Sequence, residues 1–400
     1  MKILQVNCVY KKGSTGKIVH DIHTELQKQG IESVVCYGRG ETVREPNVYK
    51  TCGELYSKAN NLWSRMTGLM YGGCFFSTNK LITVIKKEKP DVVHLHCING
   101  YFVNIYRLIW WLKQNRIKTV VTLHAEFLYT ANCGHAMDCT KWMTGCGHCP
   151  RLKKETKSWF LDGTARSWKR MYRAFQGFEE NCVIASVSPW LVERAKMSPI
   201  LKDFRHETVL NGLNTAAVFF PRDGKHIRQQ LGLQGKKMVL HVTAAFSLDP
   251  YHHKGGWYVA ELAKRMPDVA FVVVGSGNVE QALPENVIYV GRVDDQHVLA
   301  EYYSAADVTI VTSKKETFGM VVAESLCCGT PVVGFKAGAP ELIALPEYSE
   351  FVDHGDLDQL EAALQKRLES QSDVPVDIAA YTYSRETMTK RYLETYKEQS

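Results

Sequence analysis

The sequence predicts an α/β protein with two doubly wound domains, each built on a parallel sheet. The chain has 400 residues, more than a single hydrophobic core usually holds. Residues 1–38 follow the order strand, glycine-rich loop, amphipathic helix and strand. In residues 307–341, two apolar β-branched runs at 308–312 and 332–335 flank a helical segment. Because strand–helix–strand units build parallel sheets, one unit near each end of the chain predicts two such domains.

The charge of the chain is unevenly distributed. Residues 1–207 contain 31 Lys+Arg and 17 Asp+Glu, a balance of +14, so the remainder (18 against 25) carries −7 and the total is +7. The basic half suits an anionic phospholipid surface or a pyrophosphate-linked acceptor, although an ordinary basic surface explains it equally well. No apolar run approaches the ~20 residues that span a bilayer, and residues 1–10 do not resemble a signal peptide. We therefore expect a cytoplasmic protein that is either free in solution or peripheral on the inner membrane face.

Residues 53–80 interrupt the α/β alternation with an apolar stripe at helical spacing. Its members include Leu62, Trp63 and Met66, and the basic residues Lys58 and Arg65 are interleaved with them. A basic amphipathic helix with a tryptophan can lie in a membrane interface. The alternative is a helix that covers the domain core, and the same packed environment is expected for Trp110 and Trp111.

Two predicted strands, 92–96 and 119–124, both end in histidine. His94, His96 and His124 would lie towards one edge of the sheet, but no carboxylate at suitable spacing completes a metal site. The residues that follow the second strand are Ala125 and Glu126.

Residues 129–150 form a glycine-rich segment with four cysteines. Cys133, Cys139, Cys146 and Cys149 lie within seventeen residues, and the last two form a Cys-x-x-Cys pair. This spacing is typical of loops that wrap a structural zinc ion. Free thiols, one disulfide and a redox dithiol are the alternatives. In a chain without a signal peptide, thiols or metal ligands are favoured over disulfides.

The loop and helix at 316–328 predict a ligand site. Ligands of parallel sheets bind beyond the carboxyl ends of the strands, and the first amides of the next helix suit a phosphate. Gly319 allows close approach to the backbone, while Glu316 and Glu324 flank the helix start. An anion at the helix end, with ligand hydroxyls on either side that donate hydrogen bonds to the two carboxylates, describes a diphosphate between a sugar and a ribose. Such a ligand is a nucleotide sugar. The alternative is two ordinary surface carboxylates.

These motifs carry a family resemblance. Glu-x7-Glu followed by Gly-Thr-Pro-Val-Val and Gly-Ala-Pro-Glu resembles the donor-site signature of the retaining family-four glycosyltransferases. The resemblance implies the GT-B fold, in which two Rossmann-like parallel-sheet domains face a cleft and a C-terminal helix crosses back to the N-domain. It implies an acceptor domain at 1–207 with the cysteine-rich insertion at 129–150, a nucleotide-sugar donor domain at 208–383, and the returning helix at 384–400. The cysteines resemble a subgroup found in capsular and exopolysaccharide (colanic-acid-like) assembly.

The resemblance also implies roles for individual residues. Glu316 would contact the donor sugar, Glu324 the ribose, and His124 the sugar near its reacting carbon. Many relatives follow this histidine with aspartate, so Glu126 is a candidate for the base that is missing here. The loop from Gly13 to Gly16 resembles the first glycine loop of GT-B enzymes, and a purely structural turn is the alternative.

The diphosphate needs positive charge because negative charge accumulates on it as the glycosidic bond breaks. Lys254 matches the family's lysine, whereas Ala244-Ala245 stand where an arginine is expected, so His252 or His253 would supply the second cation. The remaining donor-binding residues implied by the resemblance are Gly291, Arg292 and Val293 at the base and Phe318, Gly319, Met320 and Val321 at the diphosphate.

We therefore predict a retaining glycosyltransferase of the hexosyltransferase class that uses a UDP-type or GDP-type donor. The acceptor would be a glycan or a lipid-linked glycan of surface polysaccharide assembly, an anionic membrane surface is a possible partner, and no nucleic acid is expected. Catalysis would need no cofactor. A 2-epimerase or phosphorylase of the same fold and a zinc-stabilised polyanion-binding protein are the alternatives.

Overall fold

The structure is a computed structural model that describes residues 1–277, 282–370 and 374–399, so parts of the predicted segments 208–383 and 384–400 fall outside it. The chain divides into two units. The first contains Met1–Leu210 and the last helix from Met388 onward, and the second contains Asn211–Thr387. The sequence predicted the division between residues 207 and 208 and the start of the last segment at residue 384, whereas the structure divides the chain after Leu210 and before Met388.

The first domain is a parallel sheet with helices on both faces. In the described residues its strands are β1 (Lys2–Asn7), β2 (Glu32–Tyr37), β3 (Val48–Lys50), β4 (Val92–Leu95), β5 (Thr119–Leu123), β6 (Cys182–Ser186) and β7 (Arg205–Thr208), in spatial order β3-β2-β1-β4-β5-β6-β7. Its helices are α1 (Gly13–Lys28), α2 (Glu54–Thr67), α3 (Phe75–Glu88), α4 (Ile105–Gln114), α5 (Leu152–Glu155), α6 (Thr164–Phe175) and α7 (Pro189–Lys196). Each neighbouring pair is parallel; for example, Gln5 pairs with His94.

The C-terminal helix (Arg385–Gln399) completes the core of the first domain. Tyr392 and Tyr396, one turn apart, are buried against Ile3, Val92 and Ile22. The sequence prediction that this helix crosses back to the N-domain is confirmed. Central strands of a parallel sheet are covered on both faces, which explains why their sequences are continuous apolar runs.

The second domain repeats the architecture with a smaller sheet. Its described strands are β8 (Lys237–Phe246), β9 (Val269–Gly277), β10 (Val287–Gly291), β11 (Val308–Val311), β12 (Val332–Phe335) and β13 (Ser349–Val352), in spatial order β10-β9-β8-β11-β12-β13. Its helices are α8 (Lys225–Gln230), α9 (Gly256–Arg265), α10 (Gln296–Ala305), α11 (Met320–Cys327), α12 (Pro340–Ile343), α13 (Leu357–Glu369) and α14 (Val376–Thr382). The C-terminal helix is α15. The predicted α/β class with two Rossmann-like parallel sheets is confirmed.

Most of the apolar stripe of residues 53–80 does not cover the core, although Met70 is buried. The stripe is divided between α2 and α3, and the buried residues of α2 are Ser57 and Ser64. Leu62, Trp63 and Met66 are instead exposed. The expectation that Trp110 is packed is wrong, since 53% of its surface is accessible. Despite this exposed apolar surface, none of the described helices has the length and hydropathy to cross a membrane.

Candidate functional site

Three loops meet at the carboxyl edge of the second sheet. They follow β8, β11 and β12, of which β8–β11 and β11–β12 are neighbouring pairs. The Lys254 ammonium donates to Oε1 of Glu316 at 2.6 Å, and each side chain is about one-fifth exposed. Backbone contacts fix the two loops: Lys314 N–H donates to the His253 carbonyl at 2.8 Å, and the Thr312 hydroxyl donates to the Lys254 carbonyl at 3.1 Å. The predicted lysine and carboxylate therefore form one half-buried ion pair.

The loop after β12 holds Glu316 in place. The Glu316 N–H donates to the Ala337 carbonyl at 2.9 Å. Glu341 accepts from the amides of Ala337 and Gly338 at distances from 2.9 to 3.1 Å. Since a carboxylate that accepts several backbone N–H bonds orders its own loop, Glu341 acts here as a structural anchor.

The N-terminus of α11, at Met320, follows four residues after Glu316. Gly319 precedes the helix with φ +89°, and a Cβ there would lie 3.0 Å from Cγ of Pro340, so both conformation and space favour glycine. Phe318 is buried, whereas Met320 and Val321 are half-buried at the helix start. The first amides of a helix point along its axis without intrahelical acceptors. With Lys254 on the neighbouring loop, this end of the sheet can bind an anion.

Glu324 lies further along α11 in a buried position. The Tyr303 hydroxyl on α10 donates to its Oε2 at 2.8 Å. Burial, followed by the charge of Glu324, holds the pKa of Tyr303 well above its usual range. Sequence reasoning missed Tyr303, because its partner lies on another helix and no spacing connects the two residues.

The segment predicted to read the base lies at the edge of the sheet. Gly291 ends β10 with φ +86°, and the pairing register with β9 shifts between Tyr289 and Gly291. The exposed Arg292 guanidinium pairs with Asp294 at 2.6 Å, and the Val293 between them is half-buried. Because β9 and β8 separate this edge from β11, residues 291–293 belong to a different part of the carboxyl edge from the ion pair.

Two histidine rings lie beside Lys254. The rings of His252 and His253 are 4.7 Å apart, and both residues are half-buried. They lie on the same loop as the lysine. A role for His253 in place of the missing arginine stays a prediction.

The carboxyl edge of the first sheet gathers the glycine loop and the histidines. Gly13 begins α1 with φ +65°, and a Cβ on Gly16 would lie 3.1 Å from Cγ2 of Val9, so the loop is tight. The Asn7 amide donates to the Val9 carbonyl at 2.7 Å and accepts from the Cys97 N–H at 3.0 Å. Asn7, which sequence reasoning missed, thus connects the loops after β1 and β4.

The three histidines form a buried network. Nε2 of His124 lies 3.2 Å from Nδ1 of His96, whose Nε2 lies 3.2 Å from Oε1 of Gln5. His94 contacts the hydroxyls of Tyr396 at 2.6 Å and Thr122 at 2.7 Å. His94 is therefore part of the packing of the C-terminal helix, whereas His124 lies at the end of β5, where the resemblance places the sugar contact.

Burial keeps these imidazoles neutral and makes stability pH-dependent. Desolvation lowers the pKa of His124 from 6.5 to about 4 and holds those of His94 and His96 well below the usual range. At pH values between about 4 and 6.5, the histidines of the unfolded chain bind protons, whereas His124 in the folded chain stays unprotonated. We expect the free energy of unfolding to fall as the pH drops from 6.5 towards 4, with up to about 3 kcal/mol from His124 alone. Urea unfolding of the wild type and His124→Gln across this range tests the expectation. Identical pH slopes would contradict it.

Glu126 does not fit the predicted role of a base. Its carboxylate is buried, accepts from the Arg194 guanidinium and the Tyr129 hydroxyl, and receives the Ala136 N–H on its other oxygen. Arg194 in turn stacks over Trp142 at 4.8 Å. This network anchors the start of the cysteine-rich insertion, so we assign Glu126 a structural role.

The four cysteines of the insertion are half-buried thiols. All twelve cysteines lie in the described ranges and are free. Burial and the neighbouring Cys139 and Cys149 raise the pKa of Cys146 to about 12, and burial also raises the pKa of Cys133 and Cys149. Across residues 1–277, 282–370 and 374–399, no group of three or more His, Cys, Asp or Glu side chains is arranged to hold a metal ion.

Zinc binding by these cysteines stays a prediction, and it requires the thiols to approach one another more closely. If it occurs, purified protein should carry about one equivalent of zinc, and chelation should lower the melting temperature because metal binding contributes to folding. Metal analysis and thermal unfolding with and without chelator measure this. Metal-free protein that melts unchanged would contradict the prediction.

Comparison with known proteins matches a part of each domain to a glycosyltransferase family model. Residues 15–185 match the family model described as Glycosyltransferase Family 4, and residues 257–370 match Glycosyl transferases group 1. The chain is 22% identical to the putative colanic acid biosynthesis glycosyl transferase WcaC of Escherichia coli K12, over 99% of this chain and 100% of that protein. It is 24% identical to N-acetyl-alpha-D-glucosaminyl L-malate synthase of Bacillus anthracis, over 70% of this chain and 65% of that protein.

Solved structures share the fold. Sucrose-phosphate synthase from Thermosynechococcus elongatus superimposes with a TM-score of 0.68 at 16% identity, covering 100% of this chain and 99% of that one. Anabaena Alr3699/HepE in complex with UDP-glucose gives 0.63 at 16% identity, with 100% of both chains covered. The chain is thus a glycosyltransferase of the GT-B fold, with a family-four domain followed by a group 1 domain.

Proposed function

We propose that the chain transfers a sugar from a nucleoside-diphosphate donor, with retained anomeric configuration, to a glycan or lipid-linked glycan. The observation that carries this proposal is the convergence of Lys254, Glu316 and the N-terminus of α11 at one sheet edge. A single cation and a set of helix amides match the charge that develops on a departing diphosphate.

The roles of the residues follow from their positions. Lys254 and the amides of Gly319 to Val321 would hold the diphosphate, and these groups would supply the positive charge without a metal ion. Glu316 would orient the Lys254 ammonium, which it contacts at 2.6 Å, and accept a hydroxyl of the donor sugar. His124, neutral through burial, would donate or accept a hydrogen bond without carrying charge.

The relatives support the class of donor and acceptor. The Anabaena protein is described in complex with UDP-glucose, and the Escherichia coli relative is described as acting in colanic acid biosynthesis. We therefore propose a UDP-type or GDP-type sugar donor and an acceptor of surface polysaccharide assembly.

Thermal shift with a panel of UDP-linked and GDP-linked sugars tests donor binding, because a ligand that binds the folded state raises the melting temperature. Donor turnover is then measured with and without glycan acceptors. We expect one donor to raise the melting temperature and to release nucleoside diphosphate when acceptor is present. Isomerisation of the donor without acceptor would indicate an epimerase instead. Failure of every nucleotide sugar to bind would contradict the proposal.

A further inference from the structure

The first domain contains an open pocket that the proposed donor chemistry does not use. It lies between α4 and α6 and has a volume of about 420 Å³. Its polar and aromatic lining consists of Asn104, Tyr106, Arg107, Trp110, Arg170 and Arg173. We call it the arginine pocket.

The arginine pocket concentrates positive charge without neutralising it. No carboxylate lines it, and in the described part of the chain no ion pair involves Arg107, Arg170 or Arg173. Nη1 of Arg107 is buried and has no hydrogen-bond partner among the described residues. Arg170 and Arg173 are exposed and three positions apart on α6, so they share one face. Guanidinium groups bind phosphate oxygens in a bidentate manner, which makes such a cluster a phosphate site.

Exposed aromatic side chains surround the pocket. Trp110 lines it directly, and the Arg107 guanidinium lies over the ring of Phe75 at 4.3 Å. Trp63 and the guanidinium of Arg170 both border Gly72. Phe75 and its neighbour Phe76, whose rings are 5.6 Å apart, are 54% and 73% exposed. We call Trp63, Phe75, Phe76 and Trp110 the apolar rim.

The arginines and aromatic rings of this surface indicate the kind of partner that it fits. Three helices, α2, α3 and α4, contribute the apolar rim, so the exposed aromatic area extends beyond the pocket. Aromatic rings with adjacent cations are typical of surfaces that rest in the headgroup region of a bilayer. The charge of the pocket is complementary to an anionic headgroup, and the rim is complementary to the acyl region below it.

We propose that the arginine pocket binds the phosphate headgroup of an anionic membrane lipid while the apolar rim enters the outer acyl layer. The inference uses none of the donor-site residues, so it stands or falls separately from the proposed glycosyl transfer. It places the membrane contact on α2, α3, α4 and α6 of the first domain.

Flotation of the full chain with vesicles tests the proposal in the absence of nucleotide sugar. Vesicles of phosphatidylglycerol are compared with vesicles of phosphatidylcholine at low and high salt. We expect binding to the anionic vesicles alone, and weaker binding at high salt because surface charges are screened. The triple variant Arg107→Gln/Arg170→Gln/Arg173→Gln should bind on the order of a hundredfold more weakly, since each basic residue near an anionic leaflet contributes about a fivefold change.

A charge-matched control separates this site from general basicity. Lys196, Lys264 and Lys366 are exposed and paired with carboxylates elsewhere on the surface. Their simultaneous replacement by glutamine should leave vesicle binding near the wild-type level. Equal losses in the control and in the arginine variant would overturn the proposal.

Two further variants make the test independent of folding. Arg170→Gln/Arg173→Gln changes only exposed side chains and should weaken binding even if the half-buried Arg107 proves necessary for folding. Trp110→Ser should weaken the part of vesicle binding that remains at high salt, because that part depends on apolar contact.

Inorganic phosphate and an acidic peptide serve as probes of other ligands. Stabilisation by either probe without vesicle binding would contradict a lipid headgroup as the ligand.

Discussion

Lys254→Ala should lower turnover by about a thousandfold while changing donor affinity much less. Lys254 pairs with Glu316 on the loop that leads into α11, and a preorganised charge stabilises a leaving diphosphate more than the bound ground state. Glu316→Ala should act in the same direction, because the Glu316 carboxylate holds the lysine at 2.6 Å. Steady-state kinetics and direct donor binding measure the two effects separately.

The matched control is Lys264→Ala in the same domain. Lys264 forms an equally short pair with Glu261 on an exposed helix face, so its loss should leave turnover unchanged. Glu324→Ala should weaken nucleotide binding instead, because Glu324 lies within α11 beside the predicted ribose position. Wild-type turnover in Lys254→Ala, or the same pattern in Glu316→Ala and Glu324→Ala, would contradict the assigned roles.

Arg194→Met should destabilise the first domain by about 3–5 kcal/mol, because it leaves the carboxylate of Glu126 buried without its cation. The Arg194 guanidinium donates to this carboxylate, which is almost fully inaccessible. Calorimetry of the full chain measures the effect as a lower melting temperature of the first domain.

Lys196→Met, two positions along the same helix, is the control. Lys196 pairs with Glu193 at the surface, where both side chains are at least half exposed. Its loss should change stability by less than about 1 kcal/mol. The double variant Glu126→Gln/Arg194→Met should recover part of the lost stability, since the buried charge is gone. Identical melting of Arg194→Met and Lys196→Met would show that the Glu126 pair contributes nothing.

Many of the strands and helices, and the loop and helix of the predicted donor site, were readable from the sequence. Continuous β-branched runs such as 308–312 predict buried strands because both faces of a parallel sheet are covered. Glu316, Gly319 and Glu324 lie within nine residues on one loop and helix, so local geometry determines their relative positions. The last helix was likewise predictable, since Tyr392 and Tyr396 share a face at i, i+4.

Only the tertiary structure determined which groups become partners. Glu126 and Arg194 are 68 residues apart, and Tyr303 and Glu324 belong to different helices. Periodicity shows that residues of α2 share a face, but it does not show which face another element covers. Here Ser57 and Ser64 are the buried residues of α2, and Leu62, Trp63 and Met66 remain at the surface. The local sequence therefore determines which segments form helices and strands. Packing between distant segments determines which side chains are buried, which charged groups pair, and which apolar residues remain at the surface.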